Sequence, residues 1–476
     1  MGVYADYFQE ERSIKNRLIR SIKKRFIFLA PFFSLKKRRI KREIKKTKNI
    51  DQIWKLQIKF LDHLQKLNPK TKDCQAERPP KKIIHFIGSL QAGGAERQLC
   101  NCAIEQKKSG LEVSVMLLHE PKKNHGHYLE LLRSLKVEVR VAGEKYEKAF
   151  ETNLKNYRFF LPILNQIPNE FKPMCLDVFG ELLAARPDVF HCWLDHPNIW
   201  GGFGAALAQV PRVILSTRNV NPTHFPYLNS PYFKEAYRRL LQEKTVRLIN
   251  NSENGARDYA KWLGIPKEKI YIIKNGLNFK TLKRPSLSAL KNWRKKHAIP
   301  QSANLIAGVF RLSEEKQPMM FLEVAKELLK KNANLYFVIA GVGPYSKKMK
   351  LFIKKHQILT RVRLVGRVKN IGKVFANSIF SLLCSKHEGF PNVILESMWF
   401  GCPVIATRAG GTPEAVVHDK TGLLVNVNNK KGLIKACHLL LKDKIKRETL
   451  SRKGVDHVAE HFCAKSMAEK TTSIYL

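Results

Sequence analysis

Short, wholly apolar runs alternate with longer stretches in which apolar residues recur every three or four positions, the first reading as buried strands and the second as helices. Ile83–Ile87 is the earliest such run; it ends in Gly88-Ser-Leu-Gln-Ala-Gly93-Gly94, and a helical pattern starts at Ala95. Strand, glycine loop and helix open a βα unit. Glu112–Leu118, Val189–Trp193, Val213–Ser216 and Leu248–Asn250 repeat the strand signal before the pattern pauses at the turn Lys274-Asn-Gly276. After a basic helical stretch a second series follows, at Leu305–Phe310, Leu335–Ala340, Val362–Val365, Phe380–Cys384 and Val404–Ala406. Apolar strands separated by helices predict parallel sheets covered on both faces. The expected fold is therefore α/β: two doubly wound, Rossmann-like domains facing across a cleft, with ligands beyond the carboxyl ends of the strands. The expected boundaries are 81–277 and 278–450, with a C-terminal helix in 451–476 that packs back on the first domain.

Length supports this division, because single cores stop growing at roughly 250–300 residues and the chain has 476, of which 44% are hydrophobic. Residues 1–80 differ in character and read as a basic, partly helical arm. Lys23-Lys-Arg25, Lys36-Lys-Arg-Arg39 and Lys45-Lys46 surround Phe26–Phe33, an amphipathic segment runs from Ile53 to Leu67, and Arg78-Pro-Pro-Lys-Lys82 reads as a linker. The apolar run is too short to cross a bilayer, which takes about 20 residues. It also lacks a signal-peptide layout. The formal charge of +46 asks for an anionic partner: nucleic acid, an acidic membrane face or a phosphorylated substrate. Basic residues that are spread rather than interleaved with stacking aromatics speak against nucleic acid. The arm suits an anionic membrane interface, and equally a solvated or partner-bound segment. The nine cysteines have no metal-ligand spacing, so neither a metal site nor a disulfide framework is expected, and reduced thiols place the chain in the cytoplasm.

Three elements after strands of the second series carry the candidate chemistry. Arg311-Leu-Ser-Glu-Glu-Lys316 offers two cations suited to a diphosphate, although such residues are ordinarily surface charge. Ala340-Gly341-Val-Gly343-Pro344 lets backbone approach a ligand closely, as any tight turn also does. In Ser385-Lys-His-Glu388-Gly389-Phe390-Pro391-Asn392-Val393, a helix starting near Asn392 presents its free N–H groups to phosphate. Glu388 in the loop and Glu396 in the helix are placed to accept hydrogen bonds from hydroxyl-rich groups. Downstream, Gly401-Cys-Pro403 reads as a helix stop, and Thr407-Arg-Ala-Gly410-Gly411-Thr-Pro-Glu414 as a second glycine loop.

This set of motifs resembles the "glycosyl transferases group 1" family of the GT-B fold over roughly residues 82–460. The resemblance implies that Arg311 and Lys316 hold a donor diphosphate, that Glu388 with Gly389, Phe390 and Pro391 contacts the donor sugar, and that Glu396 binds the ribose. Asn392, Val393, Gly341 and Gly343 join the donor side. Gly93 and Gly94 look like the family's N-terminal glycine loop beside the phosphates and acceptor. The polar loops Phe190–Gly202 and Ser216–His224 suit an acceptor in the first domain, with His196 and Arg218 as candidates. Arg218 stands where family members often carry a functional histidine.

The expected reaction is transfer from a nucleotide diphosphate sugar to a sugar or lipid-linked sugar acceptor with retention, without metal or other cofactor, in bacterial polysaccharide or lipopolysaccharide assembly. The arm would hold the enzyme on the cytoplasmic face of the inner membrane. A sugar-nucleotide epimerase of the same architecture and a basic nucleic-acid-binding protein are the alternatives.

Overall fold

A computed structural model describes residues 79–121, 125–142 and 172–476; apart from its last two residues, the expected basic arm lies outside them, Ile53–Leu67 included. The first domain is a seven-stranded sheet: β1 Lys82–Ile87, β2 Glu112–Leu117, β3 Glu138–Val141, β4 Val189–Trp193, β5 Arg212–Thr217, β6 Val246–Asn250 and β7 Ile270–Ile272. Every pairing is parallel, in the order β3-β2-β1-β4-β5-β6-β7. The second domain is a six-stranded sheet: β8 Asn304–Val309, β9 Leu335–Ala340, β10 Val362–Gly366, β11 Phe380–Leu383, β12 Val404–Thr407 and β13 Gly422–Val425. It too is parallel, in the order β10-β9-β8-β11-β12-β13. The ten runs read from the sequence all become strands. The three that were not expected, β3, β7 and β13, are all sheet edges, where short length and one-sided pairing weaken the apolar signal.

Strand order reverses between β1 and β4 and again between β8 and β11. Loops after adjacent strands diverge at such points and open a crevice, which is where ligands of these sheets lie. Both faces of each sheet are covered. In the first domain Phe86, Phe190, Leu215 and Phe233 pack on one face, and Leu99, Ile104, Val115 and Tyr475 on the other. In the second, Phe321, Phe337 and Leu395 line one face, with Trp293, Leu305 and Phe375 on the other.

The expected boundary at 450 falls inside the helix Lys444–His461. Leu450 and Val458 belong to the second domain's core, so the apolar stripe of this helix keeps it there until Phe462. Only from Ala464 does the chain return to the first domain, where helix Ala464–Ser473 packs against helix Gly94–Lys108 and adds Met467 and Ala468 to the core. The chain thus crosses between domains twice. The crossings are joined: Leu277 N donates to Phe462 O at 2.8 Å and Ala464 N to Leu277 O at 2.9 Å. No helix among the described residues is long and apolar enough to cross a membrane.

Candidate active site

The loops after β8, β9, β11 and β12 are stitched together at the carboxyl edge of the second sheet. Leu312 N donates to Val342 O at 3.0 Å, Lys386 N to Glu315 O at 2.7 Å, and Gly411 N to Gly389 O at 2.8 Å. Glycine is required where these loops touch. Gly341 has φ +149°, and a Cβ there would lie 1.9 Å from Phe310 O; Gly410, at φ +49°, would put one 1.7 Å from Glu388 O. A Cβ on Gly343 would lie 2.5 Å from Leu312 O.

Glu388 is 4% exposed, and such a carboxylate needs partners. Lys316 Nζ donates to its Oε2 and Ser385 Oγ to its Oε1, each at 2.6 Å. Two residues 72 apart in sequence, Lys316 and Glu388, therefore share one point beside the reversal of strand order. Arg311 is exposed at the end of the neighbouring β8. The helix after the loop runs from Asn392 to Trp399 with Pro391 as its N-cap, so its first-turn N–H groups open toward the same crevice. Phe390 has its side chain buried against Phe462 and only its carbonyl reaches across the domains, while Val393 packs on the second core.

Across the crevice, Gly93 caps helix Gly94–Lys108, with Glu96 folded over it so closely that a Cβ on Gly93 would lie 2.0 Å from Glu96 Oε2. Burial pushes the Glu96 carboxyl up to about 7. Two helix N-termini converge here, since Asn392 Nδ2 donates to Gly94 O at 3.2 Å. Gln98 Nε2 donates to Asn392 Oδ1 at 2.9 Å, and Arg97 NH1 bonds Glu396 Oε1. The linker residue Asn275 donates to Phe390 O at 2.8 Å and to Asn392 Oδ1 at 2.7 Å. Gly389 is pressed against Arg218 O, 2.3 Å from where its Cβ would stand. A second seam lies at the helix Glu253–Leu263, whose free N-terminal N–H groups are capped from the other domain: Glu414 accepts from Glu253 N and Asn254 N, both at 2.9 Å.

The acceptor-side candidates are placed differently from one another. Arg218 turns its guanidinium over the Trp193 ring, 4.8 Å from the centroid, and bonds Asn275 Oδ1, so it braces the linker. His196 packs against Phe233 and Trp200, ring centroids at 4.8 and 5.0 Å, and burial pushes its imidazole down to about 4. It is a neutral ring in an aromatic cluster of the first domain. His224, held by Asp258 at 3.2 Å, instead faces His387, the neighbour of Glu388, across the cleft at 4.7 Å between ring centroids. Arg97, Gln98, Asn275, Glu414 and His224 were given no role from the sequence. Asn275, Glu414 and His224 lie in loops that the sequence marks by their turn glycines or polar character, whereas nothing local marks Arg97 or Gln98 as a cross-domain donor.

The chain matches two family models, "Glycosyltransferase Family 4" over residues 92–280 and "Glycosyl transferases group 1" over 290–457. It is 26% identical to the Vi polysaccharide biosynthesis protein VipC/TviE of Salmonella typhi over 399 residues, covering 80% of this chain and 68% of that protein. It is 28% identical to an undecaprenol-diphosphate-linked alpha-1,4-N-acetyl-D-galactosaminyltransferase of Campylobacter jejuni, covering 78% and 91%. Among solved structures it resembles Anabaena HepE in complex with UDP and glucose, with a TM-score of 0.66 at 18% identity over 83% of this chain and 99% of that one. That likeness is one of fold. None of these matches favours the epimerase or the nucleic-acid alternative.

Proposed function

Since this chain belongs to the group 1 glycosyltransferases of the GT-B fold, we propose that it moves a glycosyl group from a nucleotide diphosphate sugar to a hydroxyl of a lipid-linked sugar, with retention, in the assembly of a bacterial surface polysaccharide. The observation that carries this reading is the Lys316–Glu388 contact at the strand-order reversal, facing a helix N-terminus from each domain. Lys316 neutralises the departing diphosphate, helped by Arg311 and the N–H groups at Asn392, which act where negative charge grows. Glu388 is then free to accept from hydroxyls of the donor sugar, and Glu396 from the ribose. Two cations and two helix ends do the work a metal would do on the diphosphate, so the reaction is metal-independent. Positioning supplies the rest of the acceleration. The lipid-linked acceptor follows the Campylobacter relative, and the arm, at 1–80, is the segment that would meet its membrane.

The test is a thermal-shift screen of UDP-, GDP- and ADP-sugars, followed by transfer of the stabilising sugar to a prenyl-diphosphate-linked sugar in EDTA. Product NMR reads the anomeric configuration. A donor that stabilises the protein but gives an inverted linkage removes retention; activity restored only by divalent cation removes metal independence; failure of every donor removes the reading.

A further inference from the structure

The two donor-side carboxylates are held in different ways. Glu388 has both oxygens occupied from its own domain, by Lys316 and Ser385. Glu396 is equally buried, at 5% exposure, yet among the described residues it accepts from a single side chain, and that one comes from the other domain: Arg97 NH1 on Oε1. Its Oε2 accepts from no described residue. Arg97 is fixed in place by the start of its helix at Gly94 and by its neighbour Gln98, which is bonded to Asn392 and accepts from Gly276 N at 3.0 Å. A buried carboxylate needs a partner, and the planar fork of an arginine fixes the plane of the carboxylate it holds.

We propose that Arg97 is a positioning residue for nucleotide recognition: held from across the cleft on Oε1, Glu396 is fixed in the orientation that presents Oε2 to the ribose hydroxyls. This rests on the reading of Glu396 as the ribose ligand. It makes ribose recognition a property of both domains, because Glu396 is competent only while the first domain's helix is seated on it. A carboxylate already held in place accepts from hydroxyls without first having to be oriented, so loss of Arg97 falls on ribose binding rather than on the diphosphate.

The probe is whichever of UDP, GDP and ADP stabilises the wild-type protein most, titrated calorimetrically beside its 2′,3′-dideoxy form. The wild type prefers the ribose form. Arg97→Ala reduces that preference about tenfold or more, the size of one charge-assisted hydrogen bond, while affinity for the dideoxy form stays near normal. Arg97→Lys restores part of it, and Arg97→Ala has no further effect in a Glu396→Gln background. If Arg97→Ala is poorly folded, Arg97→Gln carries the same expectation. A wild-type preference kept in Arg97→Ala but lost in Glu396→Gln overturns the inference and leaves the ribose reading standing. A preference kept in Glu396→Gln overturns both, as does failure of all three nucleotides to bind.

Discussion

Compared strand end for strand end, the two domains carry unlike groups on one topology. The second domain's loops bring charge to the crevice, with Lys316 and Glu388 in contact and Arg311 beside them. Beneath the crevice its strands hold no histidine, and its core is apolar. The first domain reverses this. Its β1 and β4 bury His85 and His191 below the crevice, in a chain that ends at the C-terminus. Trp193 Nε1 donates to His85 Nδ1 at 3.1 Å, so His85 carries its proton on Nε2 and donates to Gln106 Oε1 at 2.8 Å. Gln106 reaches Tyr475 OH at 3.2 Å, and that hydroxyl meets His191 Nδ1 at 2.8 Å. The lesson is a division of labour: the second domain works through charge at its rim, while the first works through a neutral, hydrogen-bonded interior that fixes the shape it offers.

The sharpest way to break the comparison is at Tyr475, which is fully buried. Tyr475→Ala leaves a large cavity and strips the partners of two buried groups, and the first domain loses about 3–5 kcal/mol in chemical denaturation. The second domain's transition stays where it was; equal loss in both would show that they fold as one unit. Next in size is Lys316→Ala, which lowers turnover about 100- to 1000-fold and, by leaving the buried Glu388 Oε2 without its partner, lowers the melting temperature as well. Near-normal turnover would remove the diphosphate role.

A smaller effect comes from pH. Burial pushes His85 down to about 4 from 6.5, and His191 is lowered in the same sense. The unfolded chain therefore binds protons that the folded one refuses; stability is full above pH 6.5 and falls as the pH drops toward 4. For His85 alone this is about 2 kcal/mol between pH 6.5 and 5. Denaturation midpoints at pH 7.5 and 5 should separate more in the first domain than in the second, where His297, His387 and His457 are lowered in the same sense but are only half-buried. Least of all, Glu414→Ala removes the cross-domain acceptor for Glu253 N and Asn254 N, while Ser252 still caps helix Glu253–Leu263, and costs about 1 kcal/mol, read as a small drop in melting temperature.

What the sequence makes legible is what local pattern controls. Central strands are read nearly to the residue because two neighbours and two helical layers force them to be largely apolar, and the start of helix Asn392–Trp399 is read from Pro391. Glu388 and Lys316 are legible through motif. The joints between domains are not. Arg97 and Glu396 lie 299 residues apart, Gln98 and Asn392 294, Asn275 and Asn392 117, and the Glu414 cap spans 161. No local propensity marks a glutamine as a cross-domain donor. Nor does a strand-end position reveal that Arg218 lies on the Trp193 face and bonds the linker residue Asn275.

The paired crossings at Leu277 and Phe462–Ala464 also bear on how such enzymes diversify. Each half looks like a cassette, and a recombination at residue 277 would seem to exchange acceptor for donor preference cleanly. It would not, because helix Ala464–Ser473 and Tyr475 travel with the second half while completing the core of the first. A working chimera must carry its original last thirteen residues back to the half they close, so inheritance of the two halves is coupled by the tail.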